Sequence, residues 1–332
     1  MKTKSVFSII AIIALVFIGI LINKNKSNTE MTQDEKNEKL SKEFKVLSSP
    51  ILPNEKLLKE VTVLTSSYDG YSELWKPHYE LLFRNWPALK ENYSFIPILL
   101  LTNELKYEDS RVVSLEVGKD TTWSRNLLKA LDSVTTKYTF LLFDDYIMNG
   151  PVDNDRFIEL LTLMEETDGA YLEAPLDEGQ FIDGNEKNRK LVPGIKGVIY
   201  RTIGSGCRNS LQASIWNTEE LRKLIDPRES AWDFEIIGNA RTQDNPKPFY
   251  MVIDKPMLTY LNATVKRTYE KEVVDYINSV GIEFHPEKFS IKTREEIADY
   301  VKTEEAIKLI RPYWVEEKQP KEEELKKGEQ SK

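Results

Sequence analysis

Cysteine and histidine are nearly missing from this chain. Its 332 residues include one cysteine, Cys207, and two histidines, His78 and His285. A single thiol excludes an internal disulfide and a cysteine-rich zinc site. Two histidines exclude a multi-histidine metal centre, so a bound metal would be a hard ion on oxygen ligands, Mg²⁺ or Mn²⁺. Cys207 has no histidine near it in the sequence and reads as structural rather than nucleophilic. Phosphate-cradling loops are lacking as well. No GxxxxGK[ST] occurs, no GxGxxG follows the first strand pattern, and Gly204-Ser205-Gly206 stands late and isolated. P-loop and dinucleotide sites are therefore weak readings. There is no basic excess either. The formal net charge is −8 and no basic cluster interleaves with aromatics, which argues against nucleic acid as a partner.

One long apolar run is present. Val6 to Ile22 carries no charge, with Lys2 and Lys4 before it and Lys24 and Lys26 after it. It is near the short limit for spanning a bilayer, and no small-x-small cleavage site follows. Residues 6–22 thus read as an uncleaved transmembrane anchor behind a short tail, 1–5. Lysines are more numerous after the anchor than before it. The positive-inside rule then puts the C-terminal part on the cytoplasmic face, with a lumenal type II topology left open. Residues 23–59 are polar and read as a stalk. Residues 316–332 are nearly all Lys, Glu and Gln and are expected to be disordered.

Between them, 60–315 reads as one α/β domain with a mostly parallel sheet. Strand patterns begin at Val61, Phe95 and Arg111. Leu74, Trp75, Tyr79, Leu82, Phe83 and Trp86 make one apolar helical face. Ser124 is placed as an N-cap for a helix through Leu127, Leu128, Leu131 and Val134. Asp153 caps the next, and Asn217 with Glu220 resembles a capping box. Further strands are expected at Ala170 to Ala174 and Ser210 to Trp216, and a last one at Phe249 to Ile253. A helix is expected over Tyr269, Val273, Ile277 and Val280, stopped by Gly281. Thr293 with Glu296 opens the final one. The polar stretch Leu176 to Gly197 reads as a binding lid or as a tolerated surface insertion.

The chain is organised around Tyr138 to Met148, YTFLLFDDYIM. A buried strand here ends in two adjacent carboxylates, Asp144 and Asp145. In open α/β sheets ligands bind beyond the carboxyl ends of strands. Two charges in that position need water, donors or a cation, though a polar strand end before the turn Asn149-Gly150-Pro151 would look the same. A second acidic group, Asp233 and Glu235, follows some ninety positions later beside Trp232. A carboxylate pair for a metal and a separate carboxylate base suit group transfer from a nucleotide diphosphate.

At this point the chain resembles the GT-A-type glycosyltransferases, which have the nucleotide-diphospho-sugar transferase fold, and in particular bacterial members that build surface polysaccharides. The likeness spans Val61 to Ile282. It rests on SSYDGYSELWKPHYELLFRNWP, WSRNLLKAL, TFLLFDDYIMNGPVD, NSLQASIW and ESAWDFE in that order. Phe143-Asp144-Asp145 stands where the family has Asp-x-Asp, so which aspartate meets the metal directly stays open.

The resemblance implies a three-layer α/β sandwich. It implies Mn²⁺ or Mg²⁺ on Asp144 and Asp145, and a nucleotide-sugar donor contacted by Asp144, Ser67, Asp69, Tyr71, Trp123 and Ser124. It also implies a glycan or lipid-linked acceptor at Gln212 and Trp232. Glu235 would be the general base, with Asp233 as its rival. Plainer roles compete at several positions: a turn at Asp69-Gly70, a core tryptophan and cap at Trp123-Ser124, a satisfied core amide at Gln212, and a solvated helix start at Asp233 and Glu235. His285 is a possible phosphate or metal contact, or a loop histidine. Three other classes compete: a nucleotidyltransferase, a non-catalytic glycan-binding scaffold, and a glycosidase using both acidic groups. A nucleotidyltransferase would want a basic first loop, which SSYDGYS is not.

Overall fold

The computed structural model describes residues 54–91, 95–174, 190–204 and 208–300. The expected anchor and charged tail lie outside these, as do Cys207, most of the expected lid and the expected stalk up to residue 53. Residues 54–59, expected as stalk, instead begin the folded domain, with Leu57 and Leu58 buried in its core.

Helix α1 (Asn54–Leu58) leads into β1 (Val61–Ser66). A 3₁₀ turn, Asp69–Tyr71, opens α2 (Ser72–Asn85), followed by α3 (Ala88–Glu91), β2 (Ile98–Thr102) and β3 (Val113–Glu116). Next come α4 (Trp123–Leu131), β4 (Tyr138–Phe143), β5 (Tyr146–Met148), α5 (Asn154–Glu166) and β6 (Tyr171–Glu173). Then follow β7 (Lys190–Leu191), β8 (Val198–Tyr200), β9 (Ser214–Asn217), α6 (Thr218–Leu224), α7 (Ala231–Ile236) and α8 (Gly238–Thr242). The chain continues through β10 (Phe249–Val252), β11 (Tyr260–Asn262), β12 (Thr268–Glu270), α9 (Lys271–Ser279), β13 (Ser290–Lys292) and α10 (Arg294–Tyr300).

Nine strands form one sheet in the order β3-β2-β1-β4-β9-β6-β10-β8-β7. Only β9 and β8 run against the rest. The mixed α/β architecture and mostly parallel sheet agree with the sequence. Central strands are buried on both faces: all of β1 and β2 is buried, as continuous Val/Ile/Leu-rich runs require. One core cluster joins α2 and α5 to Val63, Phe140 and Leu142. The other joins α4 and α6 to Leu64, Leu141 and Trp216. The apolar face expected of α2 is buried along its whole length.

Several expectations need correction. Thr122, not Ser124, caps α4: its side chain accepts the Arg125 N–H. Ser124 lies in the first turn and is wholly buried. Ser210 to Trp216 is strand only from Ser214, and it enters the sheet antiparallel. Lys190–Leu191 and Val198–Tyr200, read as loop or its margin, pair as an edge hairpin. Phe249 begins β10, which is not the last strand, because three short strands follow. Tyr269 belongs to β12 rather than to the helix after it. The Asp153 and Thr293 caps stand as read. Asn217 caps α6 without closing the expected box, because the Glu220 carboxylate turns to Lys223 and Asn245 and the Asn217 N–H pairs with Ala170 O.

Candidate functional site

Strand β4 delivers the two aspartates to the sheet edge. Asp144 is only 2% exposed. Its Oδ2 accepts from Ser67 Oγ, and Ser67 Oγ accepts from the Trp75 indole at 2.7 Å. Strands β1 and β4 pair in parallel with Ser66 level with Phe143, so Ser67 and Asp144 leave the sheet side by side. Asp145 Oδ2 accepts from Thr264 Oγ1 at 2.8 Å. Burial, then the charge of Asp145, holds the Asp144 carboxyl well above its usual range. Burial pushes Asp145 up to about 6.

The loop after β1 forms one wall. Tyr68 is half-buried over Gly70, and a Cβ on that glycine would run into the Tyr68 ring. Tyr71 packs edge-on against Tyr68 and Phe289, with centroids 4.9 and 5.2 Å away. Asp69 turns aside. Its carboxylate accepts the N–H groups of Asn103, Glu104 and Leu105 at 2.9–3.1 Å and ties down the loop after β2. Trp123 donates to Ser66 Oγ at 3.0 Å and stacks parallel to Phe143, which places it beneath the end of β4.

The second acidic group reaches a neighbouring segment, through Glu235. Strands β4 and β9 pair with Leu141 level with Ser214. The segment before β9 is bent rather than paired, and Tyr146, just past β4, reaches it at Leu211. Glu235, on α7, accepts the Leu211 N–H at 2.6 Å. Burial, with Glu173 nearby, raises its carboxyl to about 7. Asp233 acts locally instead and closes a capping box with Ser230. Its Oδ2 accepts from the Ser230 N–H and Oγ at 3.0 and 2.7 Å, while its buried Oδ1 has no partner among the described residues. Trp232 is half-exposed on the same helix. Gln212 Oε1 accepts from Tyr260, whose ring stacks on Tyr146 at 4.2 Å. The Tyr146 hydroxyl in turn donates to Leu211 O at 2.6 Å. These two tyrosines fill the space between the acidic groups. His78 is buried, between Thr65 and the Tyr146 carbonyl. His285 is exposed beside Glu283.

Sequence reasoning passed over two parts of this edge. The first is Glu173, at the end of β6. It receives Arg201 at 2.5 Å, Ser210 Oγ at 2.8 Å and Tyr171 at 3.0 Å, all inside the protein. No local signal marks it; a lone acid ending YLE is unremarkable until β6 is placed two strands from β4. The second is the hairpin Ala263–Glu270. Its base binds Asp145, through Ala263 N–H at 2.8 Å and Thr264. Its tip carries Lys266 and Arg267. Arg267 hydrogen-bonds Tyr68, and burial lowers Lys266 to about 8. Two short β-prone runs separated by two residues were visible, but the turn has neither Asn nor Gly to announce it.

The Asp144–Asp145 pair fits a hard divalent ion in one respect. Mg²⁺ is commonly held by one or two carboxylates, with water and substrate phosphates completing the shell. One carboxylate oxygen of each aspartate lies outside the side-chain hydrogen bonds to Ser67 and Thr264. Among the described residues no group of three or more His, Cys, Asp or Glu side chains forms a protein-only cage.

No protein-family model matches the chain, and no curated protein matches it. Solved structures of low similarity do match. One is the bifunctional IspDF from Campylobacter jejuni, at 13% identity and a TM-score of 0.34, covering 61% of this chain and 52% of that one. Another is a cytidylyltransferase from Leptospira borgpetersenii, at 13% identity and a TM-score of 0.37, covering 73% and 94%. A third is S. aureus TarS 1-349 in complex with UDP, at 14% identity and a TM-score of 0.35, covering 69% and 66%. The chain spans about half the length of the first. Likenesses this slight carry no weight for the activity.

Proposed function

We propose that this protein is a glycosyltransferase that moves a sugar from a nucleotide-diphosphate donor to a hydroxyl of a glycan or lipid-linked acceptor. The observation that carries the reading is two unlike carboxylate groups at neighbouring segments of the sheet, Asp144–Asp145 after β4 and Glu235 at the segment that enters β9, with Tyr146 between them. Asp144 and Asp145 follow β4, and Glu235, raised to about 7, accepts the Leu211 N–H in the segment that leads into β9, the strand beside β4. Pairs of titratable groups with separated environments mark divided chemical roles.

Asp144 and Asp145 would hold Mn²⁺ or Mg²⁺, which when bound neutralises charge on the donor diphosphate. Ser67 fixes the Asp144 carboxylate, and Thr264 fixes that of Asp145. Tyr68 and Tyr71 offer aromatic faces beside the first strand for the nucleoside. Glu235 takes the proton of the acceptor hydroxyl, for which a base poised near neutrality is suited. The acceptor oxygen then bonds to the anomeric carbon. The bond from that carbon to the diphosphate oxygen breaks, and its electron pair leaves with the nucleotide. Attack opposite the leaving group inverts the centre. Gln212, next to Leu211 in the chain, and Trp232, on the same helix as Glu235, would face the acceptor. The apolar run 6–22 would tether the enzyme to the membrane beside a lipid-borne acceptor, with the domain on the cytoplasmic face, where nucleotide sugars are made.

The test is sugar transfer. The full chain is incubated with labelled UDP-, GDP- and CMP-sugars, Mn²⁺ and membrane lipid extract. Transfer of label to a lipid or glycan, abolished by Glu235→Gln, supports the reading. Nucleotide incorporation with release of pyrophosphate would instead support a nucleotidyltransferase.

A further inference from the structure

Val265 to Thr268 is a two-residue hairpin turn. Val265 N–H donates to Thr268 O at 2.9 Å, and Thr268 N–H donates to Val265 O at 3.0 Å. The two tip residues have positive φ, 48° at Lys266 and 60° at Arg267. A hairpin turn with both central residues in this region is the type that selects Asn-Gly. Long side chains adopt it at a cost, and strain of this kind clusters at ligand clamps. Here the strain places two cations.

Where they are placed is set at both ends. At the base, Ala263 N–H and Thr264 Oγ1 each bind Asp145 at 2.8 Å, and Glu270 N–H binds Ala263 O at 2.9 Å. At the tip, Arg267 hydrogen-bonds Tyr68, which also feels the charges of Asp144 and Asp120. The hairpin therefore bridges the ends of β4 and β1, with the aspartate pair at its foot. Lys266 is half-buried and Arg267 exposed.

We propose that the Lys266–Arg267 tip is a phosphate-binding element that grips the diphosphate of the donor from the side opposite the sheet. A guanidinium presents paired N–H donors that match phosphate oxygens two at a time, and an ammonium adds a compact charge. Together they offset anionic charge delivered next to two carboxylates. The nucleoside part of the ligand rests on the donor-site reading above; the phosphate part does not.

The test uses Lys266→Asn with Arg267→Gly in the full chain. This pair removes both charges yet installs the sequence such a turn prefers, so the fold should hold or gain stability. Binding of inorganic pyrophosphate and of UDP, GDP and CDP is measured by calorimetry, with thermal melting as the folding control. The expected result is at least a tenfold loss of affinity for pyrophosphate and for whichever nucleotide the wild type binds, with melting no lower than wild type. A folded double variant that binds them as the wild type does would overturn the proposal. Wild-type protein that binds pyrophosphate through the tip but no nucleotide would refute the donor-site reading and leave this one standing. Wild-type protein that binds neither refutes both.

Discussion

Ser67 Oγ stands between Trp75 and Asp144, accepting from the indole at 2.7 Å and donating to the carboxylate. The chain of contacts links a core residue of α2 to the edge of β4, and it aims Asp144 at one orientation. Ser67→Ala removes the donor and leaves the buried Trp75 N–H without its partner. Loss of about 1–3 kcal/mol of stability is expected, read by denaturant unfolding, together with weaker nucleotide binding by calorimetry. Unchanged values for both would show that the serine merely fills space.

Glu235→Gln separates chemistry from folding. Removing a general base costs roughly 10²- to 10⁴-fold in turnover. Stability should move the other way. Burial raises this carboxyl from 4.5 to about 7. Its ionised form is therefore disfavoured in the fold, and the protein loses stability as pH climbs through that window. The glutamine variant should melt higher than wild type at pH 8 and equally at pH 4. Wild-type kcat should rise with pH through about 7, and a flat profile would remove Glu235 as the base.

Asp145→Asn tests the other carboxylate by the same sign. The group is raised from 3.8 to about 6, so an amide relieves a cost that grows as pH rises through that interval. Melting of the ligand-free variant should rise at pH 8, while metal-dependent nucleotide binding should be lost. A variant that melts lower and binds normally would mean a structural aspartate.

Gly70→Ala tests the first loop. The added methyl would collide with the Tyr68 ring, whose tip must swing away and release Arg267. Nucleotide affinity should drop severalfold, with a stability change of about 1 kcal/mol or less. Binding equal to wild type would exclude Tyr68 from the site.

Much of the fold was legible because local and global preferences agree. The run Tyr138–Phe143 is buried as a central strand requires, and the α2 face, the Asp153 cap and the Thr293–Glu296 cap behave as their residues dictate. Errors came where tertiary context chose between neighbours. Thr122 and Ser124 are both good cap residues; Thr122 accepts the Arg125 N–H, while Ser124 is buried in the first turn. Asp233 and Glu235 were legible as a pair, but their separate roles are set by contacts. The capping box engages the first, and the Leu211 N–H presents the second. Glu173, Arg201 and the Lys266–Arg267 tip were invisible. Their meaning lies in strand order and turn conformation, which neither composition nor periodicity encodes.

Thermal melting of the full chain with UDP, GDP and CMP, each with and without Mn²⁺, goes straight to the donor site. A ligand that binds only the folded state at a hundred times its Kd adds about 2.7 kcal/mol. One nucleotide is expected to raise the melting temperature by several degrees in the presence of Mn²⁺, and the shift should vanish in Asp144→Ala. A cooperative wild-type transition that no nucleotide moves would contradict the assignment of Asp144 and Asp145 to a metal-assisted donor site.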